Sequence, residues 1–123
     1  MNGVEQVWSD AAAEGYRFVV GPVENNVYVV RCRATGQATL IDAANEHDLL
    51  LELARSLGVR RIVETHGHWD HIGAGTELRD AGYSVGVTSQ DADMLPSYDE
   101  VLEDASVIEV GRLRLRTIHT PGH

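Results

Sequence analysis

Thr65-His66-Gly67-His68-Trp69-Asp70-His71-Ile72-Gly73 places three imidazoles and a carboxylate within six residues. Ile62-Val63 precedes it, so His66 and His68 stand at the end of a strand. Gly73 to Ala81 follows as a short helix, with Leu78 and Ala81 inward and Gly82 ending it. A strand that runs through such a loop into a helix predicts an α/β layer structure. In extended chain, residues two apart point the same way, so both rings reach one metal ion. Gly67 between them has no side chain to obstruct that approach. Asp70 and His71 lie where the strand turns and offer an oxygen and a nitrogen to a neighbouring ion. Nitrogen and carboxylate donors without thiolates fit Zn²⁺, Fe²⁺ or Mn²⁺. The plain alternative is a polar loop that merely contains histidine. Three of the chain's six histidines falling here argue against it.

Upstream, Val59 to Thr65 is the strand that delivers the motif. Before it, Asn45 is expected to cap a helix whose start Asp48 reinforces. Leu49, Leu50, Leu53 and Leu57 share one helical face, and Gly58 fits its end. Ala38 to Ile41 is a strand closed by Asp42, joined through Ala34-Thr35-Gly36-Gln37 to a strand from Val27 to Cys32. Asn25-Asn26 reads as a turn, Tyr16 to Val20 as a strand stopped by Gly21-Pro22, and residues 1–15 as a leader or short edge strand. Downstream, Ser84 to Thr88 is a strand, and Ser89 caps a brief helix that ends at Pro96. Tyr98 to Asp104 is acidic and reads as solvated. Val107 to Ile118 predicts a hairpin turning at Gly111, in which Arg112, Arg114 and Arg116 alternate with Leu113 and Leu115. That arginine row is expected as the wet face of a strand rather than as an anion site.

The 123 residues suit one domain, and the 43% hydrophobic and 24% charged content is that of an ordinary soluble globular chain. Nineteen acids against ten arginines, with no lysine, give a net charge of −9. That balance disfavours nucleic acid and anionic membranes as partners. Cys32 is the one cysteine, so no intrachain disulfide forms, and a reducing cytoplasm is the expected compartment. The start, Met1-Asn2-Gly3-Val4-Glu5-Gln6, lacks the basic and apolar regions of a signal peptide, and no apolar run reaches membrane-spanning length.

His66-x-His68-x-Asp70-His71 resembles the metal motif of the metallo-β-lactamase superfamily of hydrolases. Leu40-Ile41-Asp42 resembles the strand that ends in that family's supporting Asp, and Thr120-Pro121-Gly122-His123 the segment with its next ligand. The resemblance runs from about Val27 to the last residue. His68 stands where the flavodiiron branch carries Glu, and His71 where class B1 β-lactamases usually carry Arg. The hydroxyacylglutathione hydrolase (glyoxalase II) type of thioesterase is the branch most similar. The resemblance implies an αββα sandwich of two similar halves. Family members continue to a bridging Asp and a final His that have no counterpart by position here. Residues 1–123 are therefore expected to form the first half, one mixed sheet with helices on one face.

By the same resemblance His66, His68 and His123 hold a first metal, and Asp70 and His71 a second. The cofactor is one or two Zn²⁺, with Fe²⁺ or Mn²⁺ as alternatives. Asp70 is the catalytic carboxylate, orienting a metal-bound hydroxide that attacks the carbonyl of a small-molecule thioester or ester. His119 competes with His123 as third ligand, but His123 alone matches the Pro-Gly-His pattern. His47 reads as a surface residue, Trp69 as a packing residue and Cys32 as buried. Asp42 either steadies the motif from behind or simply caps a turn at its strand's end.

Three functions remain distinct: a metal-dependent thioester hydrolase, an iron-dependent persulfide dioxygenase sharing the motif, and a non-catalytic metal-binding half-domain. Val27-Tyr28-Val29-Val30, Leu40-Ile41 and Ile62-Val63 are apolar at both parities and so expect cover on both faces. With helices on one face alone, the other is expected to seek a partner, a second copy packed sheet to sheet being the simplest.

Overall fold

A computed structural model describes residues 5–22, 24–65, 72–89, 91–95 and 98–118. Strands β1 (Glu5–Ser9), β2 (Ala13–Val20), β3 (Asn25–Cys32) and β4 (Ala38–Ile41) form an antiparallel meander. Helix α1 (His47–Leu57) then carries the chain to β5 (Val59–Glu64), and α2 (Gly75–Asp80) precedes β6 (Ser84–Thr88). A 3₁₀ turn, Ala92–Met94, leads to the short edge strand β7 (Glu100–Leu102). The seven strands form one mixed sheet in sequence order, β4 to β7 running parallel. Strands β8 (Val107–Val110) and β9 (Leu113–Arg116) make a separate hairpin.

Alternation along the strands sorts side chains to two faces. Phe18, Val20, Val27, Val29, Leu40, Ile62, Val85 and Val87 are buried in the main core together with Leu50, Leu53 and Ala54 of α1 and Leu78 of α2. Helix α1 packs on β5 and on α2, and α2 on β6, so both helices lie on this face. The leucine stripe therefore does what its 3.6-residue period predicts.

The opposite face is partly covered from within the chain, which corrects the expectation of a bare face. Ile108 and Val110 of the hairpin join Leu102 in a second, smaller core, with Val63, Leu113 and Leu115 against it. The hairpin turn reaches the end of β3, where the Arg112 N–H donates to the buried Cys32 Sγ at 3.4 Å. Gly111 at this turn has φ +58, and a Cβ there would collide with Thr35 and Cys32. Beyond the hairpin's reach Val19 and Tyr28 stay 48% and 40% exposed. Arg112, Arg114 and Arg116 are exposed, as the wet-face reading expects.

Local starts and stops differ in detail. The residue before α1 is Glu46, left-handed at φ 56, and no side chain caps the helix. Asn45 instead accepts the Glu46 N–H at 2.7 Å, and Glu46 Oε2 accepts the Gly21 N–H at 2.8 Å. The acidic residue thus fastens the helix start to the β2–β3 turn, a tertiary contact invisible in local sequence. Ala81 is exposed, not inward, because α2 ends one residue earlier. The acidic stretch after Tyr98 contains β7, whose pairing with β6 outweighs its poor strand composition.

Candidate metal centre

Strand β5 alternates so that Ile62 and Glu64 point to the helix face, and both are fully buried. Thr65 follows, then the histidine loop, then Ala74 and α2. The loop therefore leaves from the carboxyl end of a parallel strand, where open α/β sheets place their ligands. His66, His68, Asp70, His71, His119 and His123 lie outside the described residues. Among the described residues no three His, Cys, Asp or Glu side chains converge as a metal cluster.

The described residues do show what holds the loop's ends. Asp42 terminates β4 with a left-handed backbone, φ 65, which Asp tolerates better than most side chains. Its N–H donates to the Val63 carbonyl at 2.8 Å, continuing the ladder one step past the strand. Its carboxylate receives two bonds from Thr65: Oδ1 accepts the backbone N–H and Oδ2 the hydroxyl, each at 2.7 Å. Ala43, the next residue, accepts the Ala74 N–H on its carbonyl at 2.9 Å. Two consecutive residues, Asp42 and Ala43, thus clip both the entry and the exit of the loop. Of the two readings of Asp42, this geometry favours the one in which it steadies the motif.

Glu64 was not singled out by sequence reasoning. Its Oε1 accepts the Ala43 N–H at 3.2 Å, and the whole side chain is buried. Burial, reinforced by the neighbouring Asp42 carboxylate, pushes the Glu64 carboxyl well above the usual range. The signal in the sequence was an acid at the inward parity of an apolar strand. His47, by contrast, stands exposed at the start of α1 with its Nε2 3.3 Å from Asp48. A cavity of about 190 Å³ between Gln37, Thr39, Arg61, Ser84 and hairpin residue Glu109 lies at the opposite ends of the parallel strands. It shares no residue with the clip.

The sequence profile of the Metallo-beta-lactamase superfamily matches residues 20–123. The chain belongs to this superfamily. Its architecture is consistent with the superfamily's α/β sandwich. The chain is 37% identical over 103 residues to a hydroxyacylglutathione hydrolase of Rhodospirillum rubrum, covering 81% of this chain and 40% of that protein. A hydroxyacylglutathione hydrolase of Gloeobacter violaceus is 35% identical over 81% of this chain and 41% of its own length. The chain thus spans about 40% of the length of these curated relatives. Among solved structures, BLEG-1 B3 metallo-β-lactamase superposes with a TM-score of 0.77 at 22% identity, over 88% of this chain and 62% of that one. TTHA1623 in a di-iron-bound form gives 0.72 at 25% identity, over 86% and 61%. Membership implies a divalent metal. Among the described residues no helix is long and apolar enough to cross a membrane.

Proposed function

We propose that residues 1–123 carry the first metal-binding portion of a metal-dependent thioester hydrolase of the hydroxyacylglutathione type, acting in the cytoplasm. The observation that carries the reading is the clip of Asp42 and Ala43 on Thr65 and Ala74, which fixes both ends of the one histidine-rich loop. The residues fit a metal there. The stretch offers imidazole and carboxylate donors, and Thr65 at its entry is held by the Asp42 carboxylate. Asp70, His66, His68, His71 and His123 are the proposed ligands, with Asp42 behind them. The metal, Zn²⁺ in the first instance, supplies Lewis-acid polarisation of the acyl carbonyl and a water acidic enough to ionise near neutral pH. Asp70 would hold the second ion and orient that water. Asp42 keeps the entry of the loop in place, so the ligands do not have to be ordered at each turnover.

One observation favours a second reading, an iron-dependent persulfide dioxygenase: TTHA1623 holds two irons on this fold. The deciding experiment is metal analysis of the purified protein together with two assays on an extended protein that includes this chain. Hydrolysis of an S-(2-hydroxyacyl)glutathione supports the first reading. Iron with oxygen consumption on a glutathione persulfide, and no thioester hydrolysis, replaces it with the second. A chain in which His66→Ala plus His68→Ala binds as much metal as the parent refutes the ligand set.

A further inference from the structure

Strands β4 and β5 pair unevenly where they begin. Ala38 lies opposite Val59 and Thr39 opposite Arg61, so Arg60 is skipped in the register. In regular strand, consecutive side chains point to opposite faces. At this irregularity Arg60 and Arg61 instead line one space, the cavity of about 190 Å³ at the amino ends of the parallel strands. Arg61 is held in place: its Nη2 lies 3.3 Å from Glu100 Oε1. Glu100 reaches it across Gly86, where a Cβ would sit 3.0 Å from the Glu100 Cγ. A guanidinium has five donors, so that pair leaves others for the cavity. Arg60 is exposed and joins no ion pair among the described residues. The remaining lining is polar as well. Thr39 is 1% exposed, and no described residue hydrogen-bonds its hydroxyl. A valine would fill that strand position without burying a hydroxyl. Gln37 and Ser84 add an amide and a second hydroxyl. From the hairpin comes Glu109, which no ion pair joins to either arginine. The cavity thus keeps two guanidiniums apart from one carboxylate. An anion alone would meet Glu109, and a cation alone would meet the arginines. A molecule carrying both charges meets each with its opposite.

We infer that this cavity binds a small zwitterion of the amino-acid class, its carboxylate on Arg60, Arg61 and Thr39 and its ammonium on Glu109. Guanidinium and carboxylate match in a planar, two-bond geometry, and the Thr39 hydroxyl supplies a further donor. Thr65 lies about 13 Å beyond Arg61 along the strand, so the inference does not rest on the metal reading. The test is an NMR titration of the ¹⁵N-labelled 123-residue chain with L-alanine, acetate and methylammonium in turn, at constant ionic strength. L-alanine is expected to saturate, with shifts centred on Thr39, Arg61, Ser84 and Glu109. It should bind at least about 10-fold more tightly than either single-charge probe, since each of those forgoes a charged hydrogen bond. Thr39→Val, which keeps the shape, should weaken L-alanine by about 2- to 10-fold. Glu109→Gln should remove the advantage of L-alanine over acetate, and Arg60→Gln should weaken both. No saturable shift with L-alanine overturns the inference. Acetate binding as tightly as L-alanine to the parent chain overturns the zwitterion. Undiminished L-alanine binding in Thr39→Val and Arg60→Gln overturns the site. If circular dichroism shows Thr39→Val unfolded, Arg60→Gln and Glu109→Gln, both at exposed positions, carry the test.

Discussion

Asp42 adopts φ 65 and still closes two short hydrogen bonds on Thr65. Bonds to a charged acceptor are worth about 1.5–3 kcal/mol each in net terms, enough to hold a backbone conformation that costs about 1–3 kcal/mol. Asp42→Ala should therefore reduce Zn²⁺ affinity by about 10- to 100-fold, while His47→Ala leaves it unchanged; chelator competition reads both. A second carboxylate makes a prediction about acid. The Arg79 guanidinium at 3.0 Å, then the Val85 N–H, hold Asp99 below the ordinary carboxylate value. A depressed folded-state pKa contributes stability that is present above the unfolded value and lost as pH falls through the folded one. Asp99→Asn should thus flatten the acid limb of urea midpoints measured from about pH 6 to pH 2, with little change in slope above it. Asp42 was legible in sequence because it ends an apolar strand. Glu64 was passed over, although an acid at the inward parity of an apolar strand was there to be read.

At the scale of elements, the hairpin β8–β9 was readable from its alternation and from Gly111, and its docking was not. Nothing local says that Ile108 and Val110 will meet Val63, or that the turn will touch Cys32. Such pairings join residues distant in sequence, and periodicity reports only which face of an element is apolar. The same limit hid β7, whose three residues are strand because β6 lies beside them. Gly111→Ala should cost about 1–3 kcal/mol, from the left-handed backbone and from displacement of Thr35. The loss is read as a lowered urea midpoint. Faster reaction of Cys32 with a thiol reagent should accompany it, since the turn seals a sulfur that is 1% exposed.

For the whole molecule, the alternation of strands and helices predicted a layered α/β fold, and the superfamily match bears that out. The covering of the second face was legible only as a need. The hairpin meets part of it, and Val19 and Tyr28 remain exposed. A homodimer through that face is the expected state of the 123-residue chain at micromolar concentration, and light scattering decides it. Because the chain spans about 40% of its curated relatives, an extended protein should hydrolyse thioester while these residues alone do so poorly. Comparable turnover by both would show the remainder to be dispensable.

The Asp42–Thr65 bonds join residues 23 apart, with all of α1 between them. Such a contact closes only after the β4–α1–β5 crossover has collapsed, because the entropy of shutting the intervening chain must be met first. Thr65, at the entry to the histidine stretch, is accordingly fixed late in folding, and metal loading becomes a reporter of chain topology. Refolded from urea in stopped flow, the protein should regain its far-UV circular dichroism before a Zn²⁺ indicator responds. The indicator's lag should lengthen in Asp42→Ala. Metal uptake running ahead of the circular dichroism change would place the ligands' assembly in the unfolded ensemble instead.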